Sequence, residues 1–263
     1  MKYYAVIADI HGEIEQLDQT IARCNAFAER EGISLQFVFL GDLIDRGDSN
    51  NQVIERVKSM VEAGAILTLG NHDMFLIGCA EGDDKLTRIW GYNGGAETCI
   101  NMFGRIADIK QRTSMYQIKE YGNTLHPWDY SDIIKNSWQY AFLKENGILY
   151  HETDNIFFCH APQSDVKEPM TAWNLTWGRQ TDYEHGVGDN IFKVPNNKRM
   201  SIHGHMHRLR EGQNFTRIHN YVHGGIAKTV VLADSGCGCA HFGRLKAVIL
   251  RERDKYPEIE AIL

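Results

Sequence analysis

Leu35-Gln36-Phe37-Val38-Phe39-Leu40-Gly41-Asp42-Leu43-Ile44-Asp45-Arg46-Gly47 decides how this chain folds. An apolar run of strand length stops at a glycine, and two carboxylates and an arginine follow at once. A short apolar run bounded by turn residues reads as a buried strand. In α/β sheets, ligands gather beyond the carboxyl ends of the strands. The same event recurs elsewhere. Residues 3–8 run into Asp9-Ile10-His11-Gly12, residues 65–69 into Gly70-Asn71-His72-Asp73, residues 156–159 into His160, and residues 199–202 into His203-Gly204-His205-Met206-His207. Five strand ends, each offering Asp, Asn or His, are expected to converge on one place.

Between these strands lie helical patterns. Ile14, Leu17, Ile21, Cys24 and Ala28 recur every three or four residues, which predicts a helix over residues 13–29. Ser49 is placed to cap a second helix running to about Met60, and a third follows Asn71. Strands alternating with helices imply parallel pairing and an α/β layer architecture. Residues 84–147 carry no strong strand, only helical patterns, three tryptophans (Trp90, Trp128, Trp138) and an Asn93-Gly94-Gly95 break. They are read as a mostly helical insertion at about residues 80–150 of a single domain spanning 1–263. After a polar loop reaching about residue 197, short strands at 199–202, 216–222, 229–233 and 246–251 make the tail β-rich. The sheet is therefore mixed, or doubled into a sandwich.

Composition narrows the function. With 28 Lys+Arg against 34 Asp+Glu, the net charge of −6 disfavours nucleic acid as the main partner. No run approaches the roughly 20 apolar residues needed to span a bilayer. Residues 3–8 are too short for the core of an export signal. A cytoplasmic protein is expected, with Cys24, Cys79, Cys99, Cys159, Cys237 and Cys239 as free thiols. The twelve histidines, several beside glycines, point to metal chemistry.

The donor set is carboxylate, imidazole and one amide, which suits borderline divalent metals better than an all-oxygen or all-thiolate site. In extended backbone, residues i and i+2 point the same way, so Asp9 with His11, and His205 with His207, are each expected to hold one cation. The candidate ligands Asp9, His11, Asp42, Asn71, His160, His205 and His207 outnumber the needs of one ion. They fit two ions about 3.5–4 Å apart, bridged by a carboxylate.

Asp9-x-His11, Gly41-Asp42-x-x-Asp45-Arg46-Gly47, Gly70-Asn71-His72-Asp73, His160 and Gly204-His205-x-His207 resemble the ordered motifs of the calcineurin-like metallophosphoesterase superfamily. The second of these is close to the phosphoprotein phosphatase branch, which includes lambda-type protein phosphatases and symmetrical dinucleoside tetraphosphatases. Ala233-Asp234-Ser235-Gly236-Cys237 with Gly243-Arg244-Leu245 resembles the closing strands of that branch. The resemblance implies a four-layer α/β/β/α sandwich and two divalent ions, foremost Mn²⁺, with Fe, Zn or Ni as alternatives. It implies that Asp9, His11 and His207 hold the first ion, that Asp42 bridges, and that Asn71, His160 and His205 hold the second. His72 is then the general acid and Asp45 its orienting partner. Arg46, Arg179 and Asn71 bind the substrate phosphate.

The expected activity is phosphoester hydrolysis on a phosphorylated protein or a small phosphoester, with phosphoserine and phosphothreonine first. Two departures favour the alternative of a nucleotide hydrolase or phosphodiesterase. Leu69 stands where phosphoprotein phosphatases carry an arginine, and His207 is atypical of the branch. A non-catalytic scaffold of the same fold is a third reading, which the intact ligand set and His72 oppose. The segment from Trp90 to Thr98 resembles part of the family's helical lobe, as either a turn or a substrate-facing element.

Overall fold

The computed structural model describes residues 1–107, 110, 124–162, 171–177, 194–195, 197–206, 216–238, 243–254 and 256–263. Strands β1 (Lys2–Ile7), β2 (Leu35–Phe39) and β3 (Ile66–Leu67) pair in parallel, with Ile7 opposite Phe39 and Val38 opposite Ile66. Helices α1 (Ile14–Glu31) and α2 (Asn50–Glu62) make the crossovers. Leu17, Ile21 and Cys24 of α1 are buried, as their spacing predicts. The helix stops where Gly32 turns left-handed and its N–H caps the carbonyls of Ala28 and Glu29.

The first sheet is completed from the chain's end. Strand β9 (Ala247–Glu252) runs antiparallel to β1, and β10 (Glu258–Ile262) antiparallel to β9. The second sheet joins β4 (Tyr150–Glu152), β5 (Ile156–Cys159), β6 (Met200–His203), β7 (Arg217–His223) and β8 (Ile226–Leu232). The strand orders are β10-β9-β1-β2-β3 and β4-β5-β6-β8-β7. Both sheets are mixed: in the first, parallel β1, β2 and β3 are extended on the β1 side by β9 and β10, each antiparallel to the strand before it, and in the second, parallel β5, β6 and β8 are flanked by antiparallel β4 and β7. The sheet is thus mixed and doubled together.

Period-two alternation explains the layering. Tyr4, Val6 and Ala8 join Val38, Leu40, Ile156, Phe158, Met200, Ile202 and Val231 in a core between the sheets. Ala5 and Ile7, from the other face of β1, join Leu17, Cys24, Val53 and Val57 under the helices. Each valine, leucine, isoleucine, phenylalanine or methionine among them contributes about 1.5–3 kcal/mol by leaving water. A short helix over Ala172–Trp177 lays Leu175 against Phe157 and Cys159 on the far side of the second sheet. The four layers α/β/β/α follow.

Helices α3 (Asn71–Glu81), α4 (Asp84–Tyr92), α5 (Gly95–Phe103), α6 (Ser131–Lys135) and α7 (Trp138–Asn146), with a 3-10 turn at Pro127–Tyr130, fill the stretch after β3. The Ala172–Trp177 helix is α8 in chain order. After α7 the chain returns alongside β3. Leu69 donates to the Ile148 carbonyl at 2.8 Å and Ile148 to that of Leu67 at 3.0 Å. Strands β4 and β10 and helix α8 escape the sequence reading. Cys24, Cys79, Cys99, Cys159 and Cys237 are buried free thiols, whereas Cys239 lies outside the described residues. No helix among the described residues is long and apolar enough to cross a membrane.

Candidate metal centre

Beyond the strand ends the backbone turns sharply. Among the described residues, the non-glycine positions with positive φ are Asp9, His11, Asp42, Asp45, Arg46 and His205. All six are site residues named from the sequence. Left-handed backbone costs a residue with a Cβ about 1–2 kcal/mol, and such strain concentrates at functional sites where the surroundings enforce it. It also corrects the strand-periodicity argument. Asp9 and His11 follow the end of β1, with φ of 55° and 49°, and His205 follows the end of β6, with φ of 63°. Their convergence is made by turns, not by alternation along an extended strand.

Asp42 is the hub. Its Oδ2 lies 3.4 Å from His160 Nε2, 3.6 Å from His11 Nε2 and 3.9 Å from His72 Nε2. Its other oxygen accepts the backbone N–H of His72 at 2.9 Å. The turn that carries it is clamped by Asp73, which accepts the N–H groups of Asp42 (2.8 Å), Leu43 (3.0 Å) and Gly70 (2.8 Å). Burial raises the Asp73 carboxyl to about 6, helped by the neighbouring Asp42 charge. Residue 70 must be glycine, since a Cβ there would sit 2.2 Å from an Asp42 carboxylate oxygen.

The imidazoles are aimed from behind. His11 Nδ1 bonds the Ile44 carbonyl at 2.9 Å, and His160 Nδ1 bonds that of Leu40 at 2.5 Å. With the proton on Nδ1 in each ring, Nε2 is the donor atom that faces the centre, the usual arrangement behind metal-ligating histidines. His160 Nε2 also lies 3.1 Å from Asn71 Oδ1. Asp9 accepts the His205 N–H through both oxygens, at 3.0 and 3.1 Å. This approach needs glycine at 204, where a Cβ would stand 2.2 Å from Asp9 Oδ2.

Two overlapping donor groups result: His11, Asp42 and His72, and Asp42, His160 and His205, with the donor atoms of each group within 4.8 Å of one another. Asp42 belongs to both. Asp9 is buried beside them, and burial with the Asp234 charge raises its carboxyl well above the ordinary range. Burial would lower His160, but the Asp42 carboxylate outweighs it and pushes the imidazole up to about 10. Burial would likewise raise Asp42, yet the charges of His160 and His72 hold it well below the ordinary carboxylate range. The field that binds a proton so tightly at His160 is one that a divalent cation satisfies on displacing that proton. Buried carboxylates, Nε2-presenting imidazoles and one amide oxygen fit a pair of borderline divalent ions.

His72 stands differently. Its Nδ1 is 2.5 Å from Asp45 Oδ2, leaving Nε2 toward the centre. Asp45 is fully buried and is held further by Trp90 Nε1, 2.9 Å from each oxygen, and by the Thr98 hydroxyl. Burial disfavours charge on His72, but Asp42 and Asp45 outweigh that and raise its pKa. Two residues of the Trp90–Thr98 segment, its first and its last, grip the carboxylate behind the imidazole. Asp73, Trp90 and Thr98 were assigned no such role from the sequence. Asp73 carried a signal, sitting inside the Gly-Asn-His-Asp motif.

Arg46 is exposed beside the site; burial, and then the Arg46 charge, hold His11 well below the ordinary imidazole value. Arg179 and His207 lie outside the described residues. Leu69 is built into the core under the helices, and a Cβ at Gly147 would meet its Cδ2 at 2.3 Å. His223 is exposed at the β7–β8 hairpin, the end of β8 remote from Asp234, so it does not reach the cleft.

A family model described as calcineurin-like phosphoesterase matches residues 3–209. The symmetrical bis(5'-nucleosyl)-tetraphosphatase of Marinomonas sp. (strain MWYL1) is 34% identical over 83 residues, 32% of this chain and 28% of that protein. The match thus spans under a third of that relative's length. A metallophosphoesterase structure from Sphaerobacter thermophilus superposes with a TM-score of 0.52 at 13% identity, covering 98% of this chain and 86% of that one. A protein serine/threonine phosphatase structure from Saccharomyces cerevisiae gives 0.51 at 17% identity, covering 98% and 79%. These two likenesses concern the fold alone.

Proposed function

This chain belongs to the calcineurin-like phosphoesterase family, and on that footing we propose that it hydrolyses the phosphoanhydride of a dinucleoside polyphosphate. The observation that carries hydrolysis is Asp42, one carboxylate shared by two donor groups, with the His72–Asp45 pair beside it. In this reading Asp9, His11 and His207 would hold one ion, Asn71, His160 and His205 the other, with Asp42 as the ligand common to both. Bound divalent ions would neutralise the phosphate and lower the pKa of a water for attack.

The chain's own residues do the rest. His72, protonated at Nε2, gives that proton to the leaving oxygen as the P–O bond breaks. Asp45 accepts from Nδ1 and keeps the ring cationic and aimed. Arg46, with Arg179 in the same role, binds non-bridging phosphate oxygens, for which a guanidinium fork is suited. Asn71 contacts the phosphate from the ligand side.

Two features favour the nucleotide substrate over a phosphoprotein, the first expectation from the sequence. The matched relative is named a symmetrical tetraphosphatase. Leu69 is apolar and locked in the core, so the arginine position of the protein phosphatases is unavailable as a clamp. The test supplies Mn²⁺ with a dinucleoside tetraphosphate, a phosphopeptide, and mono- and bis-nitrophenyl phosphate. Conversion of the tetraphosphate to two nucleoside diphosphates, ahead of the phosphopeptide, is expected. Faster phosphopeptide hydrolysis would return the protein phosphatase reading. No hydrolysis of any substrate, with two ions bound, would leave a scaffold of the same fold.

A further inference from the structure

An aromatic ladder leaves the metal centre and ends at the surface. Trp177 packs with its ring centroid 6.0 Å from His205 and 5.3 Å from Phe75, whose ring is itself 5.3 Å from His72. Trp173, one helical turn earlier on α8, stacks on Trp177 at 5.5 Å with 19° between the planes. Trp173 remains 41% exposed. The ammonium of Lys85, an exposed residue of α4, stands 4.4 Å from the Trp173 ring centroid.

We propose that Trp173 is the stacking platform for a nucleobase whose phosphates lie at the metal centre, a reading that rests on the nucleotide substrate proposed above. Three features carry it. The inner ring of the pair, Trp177, packs against Phe75 and His205. Trp173 stacks on Trp177, and a lysine ammonium lies over its ring in an exposed cation–π contact, which is weak. A base can displace that lysine, and the released ammonium is then a partner for the attached phosphates. Every base has a π-face, so the platform selects a nucleoside over a bare phosphate without selecting which base.

The test measures affinity, not turnover. Calorimetric titration of the Mn²⁺-loaded protein compares ADP with pyrophosphate, which shares the anhydride and lacks the base and sugar. ADP should bind about tenfold more tightly, since a stacked base is worth about 1–3 kcal/mol. Trp173→Leu should erase that advantage, and Trp173→Phe, which keeps a ring, should retain most of it. Equal affinities in the unaltered protein, or an ADP advantage that survives Trp173→Leu, would overturn the platform. Hydrolysis of a dinucleoside tetraphosphate without any ADP advantage counts against the platform alone. An ADP advantage lost in Trp173→Leu, without such hydrolysis, supports the platform and counts against the reaction alone.

Discussion

The indole N–H of Trp90 donates to both carboxylate oxygens of Asp45, at 2.9 Å each, inside a fully buried pocket. Asp45 in turn holds His72 Nδ1. A residue of the helical stretch thereby holds, across a gap of 45 positions in sequence, the carboxylate that aims the proposed general acid. Trp90→Phe leaves the ring and removes the donor. A hydrogen bond to a charged group is worth about 1.5–3 kcal/mol, so turnover of poor leaving groups such as phenyl phosphate should fall about tenfold. Turnover of 2,4-dinitrophenyl phosphate, whose leaving oxygen needs no proton, should be little changed. Equal losses on both substrates would reduce Trp90 to a packing role.

His72→Asn should keep its metal and lose turnover by about 10²–10⁴, the usual worth of a general acid. Metal content by elemental analysis beside steady-state rates checks it. Full activity in the variant would remove His72 from the chemistry.

Asp42→Asn should weaken both ions together, because that carboxylate belongs to both donor groups. Titration with Mn²⁺ should show a single joint loss of affinity. Loss of one ion with the other retained would mean that Asp42 does not bridge.

Gly204→Ala places a Cβ 2.2 Å from Asp9 Oδ2 and 3.0 Å from the Ala8 side chain. The Asp9 carboxylate must move off the His205 N–H. Disturbing such a supporting contact typically costs about 10–100-fold in metal affinity, and Mn²⁺ titration reads it directly. Wild-type affinity would show that the carboxylate position is not set by residue 204.

His203 is fully buried, and burial lowers its pKa from the ordinary 6.5 to about 3. The unfolded chain therefore takes up a proton near pH 6.5 that the folded chain refuses until about pH 3. Its contribution is complete above pH 6.5 and is lost as pH falls through that window. In metal-free protein, His203→Asn should flatten the decline of the urea midpoint between those limits. An unaltered acid limb would place the titration elsewhere.

Much of the site was legible in the chain alone. Asp9, His11, Asp42, Asn71, His72, His160 and His205 each follow an apolar run, and a strand end with a turn is a local event written in adjacent residues. The layering followed too, because alternation in β1 separates Tyr4 and Val6 from Ala5 and Ile7. What only the folded molecule decided is how distant segments meet. Asp9 reaches the His205 N–H across 196 positions, and Trp90 rather than a nearby residue closes the cage on Asp45. Even the local geometry at Asp9 and His11 is left-handed instead of extended. No short-range preference selects that conformation, and only the buried carboxylates, imidazoles and close glycine approaches around it repay its strain.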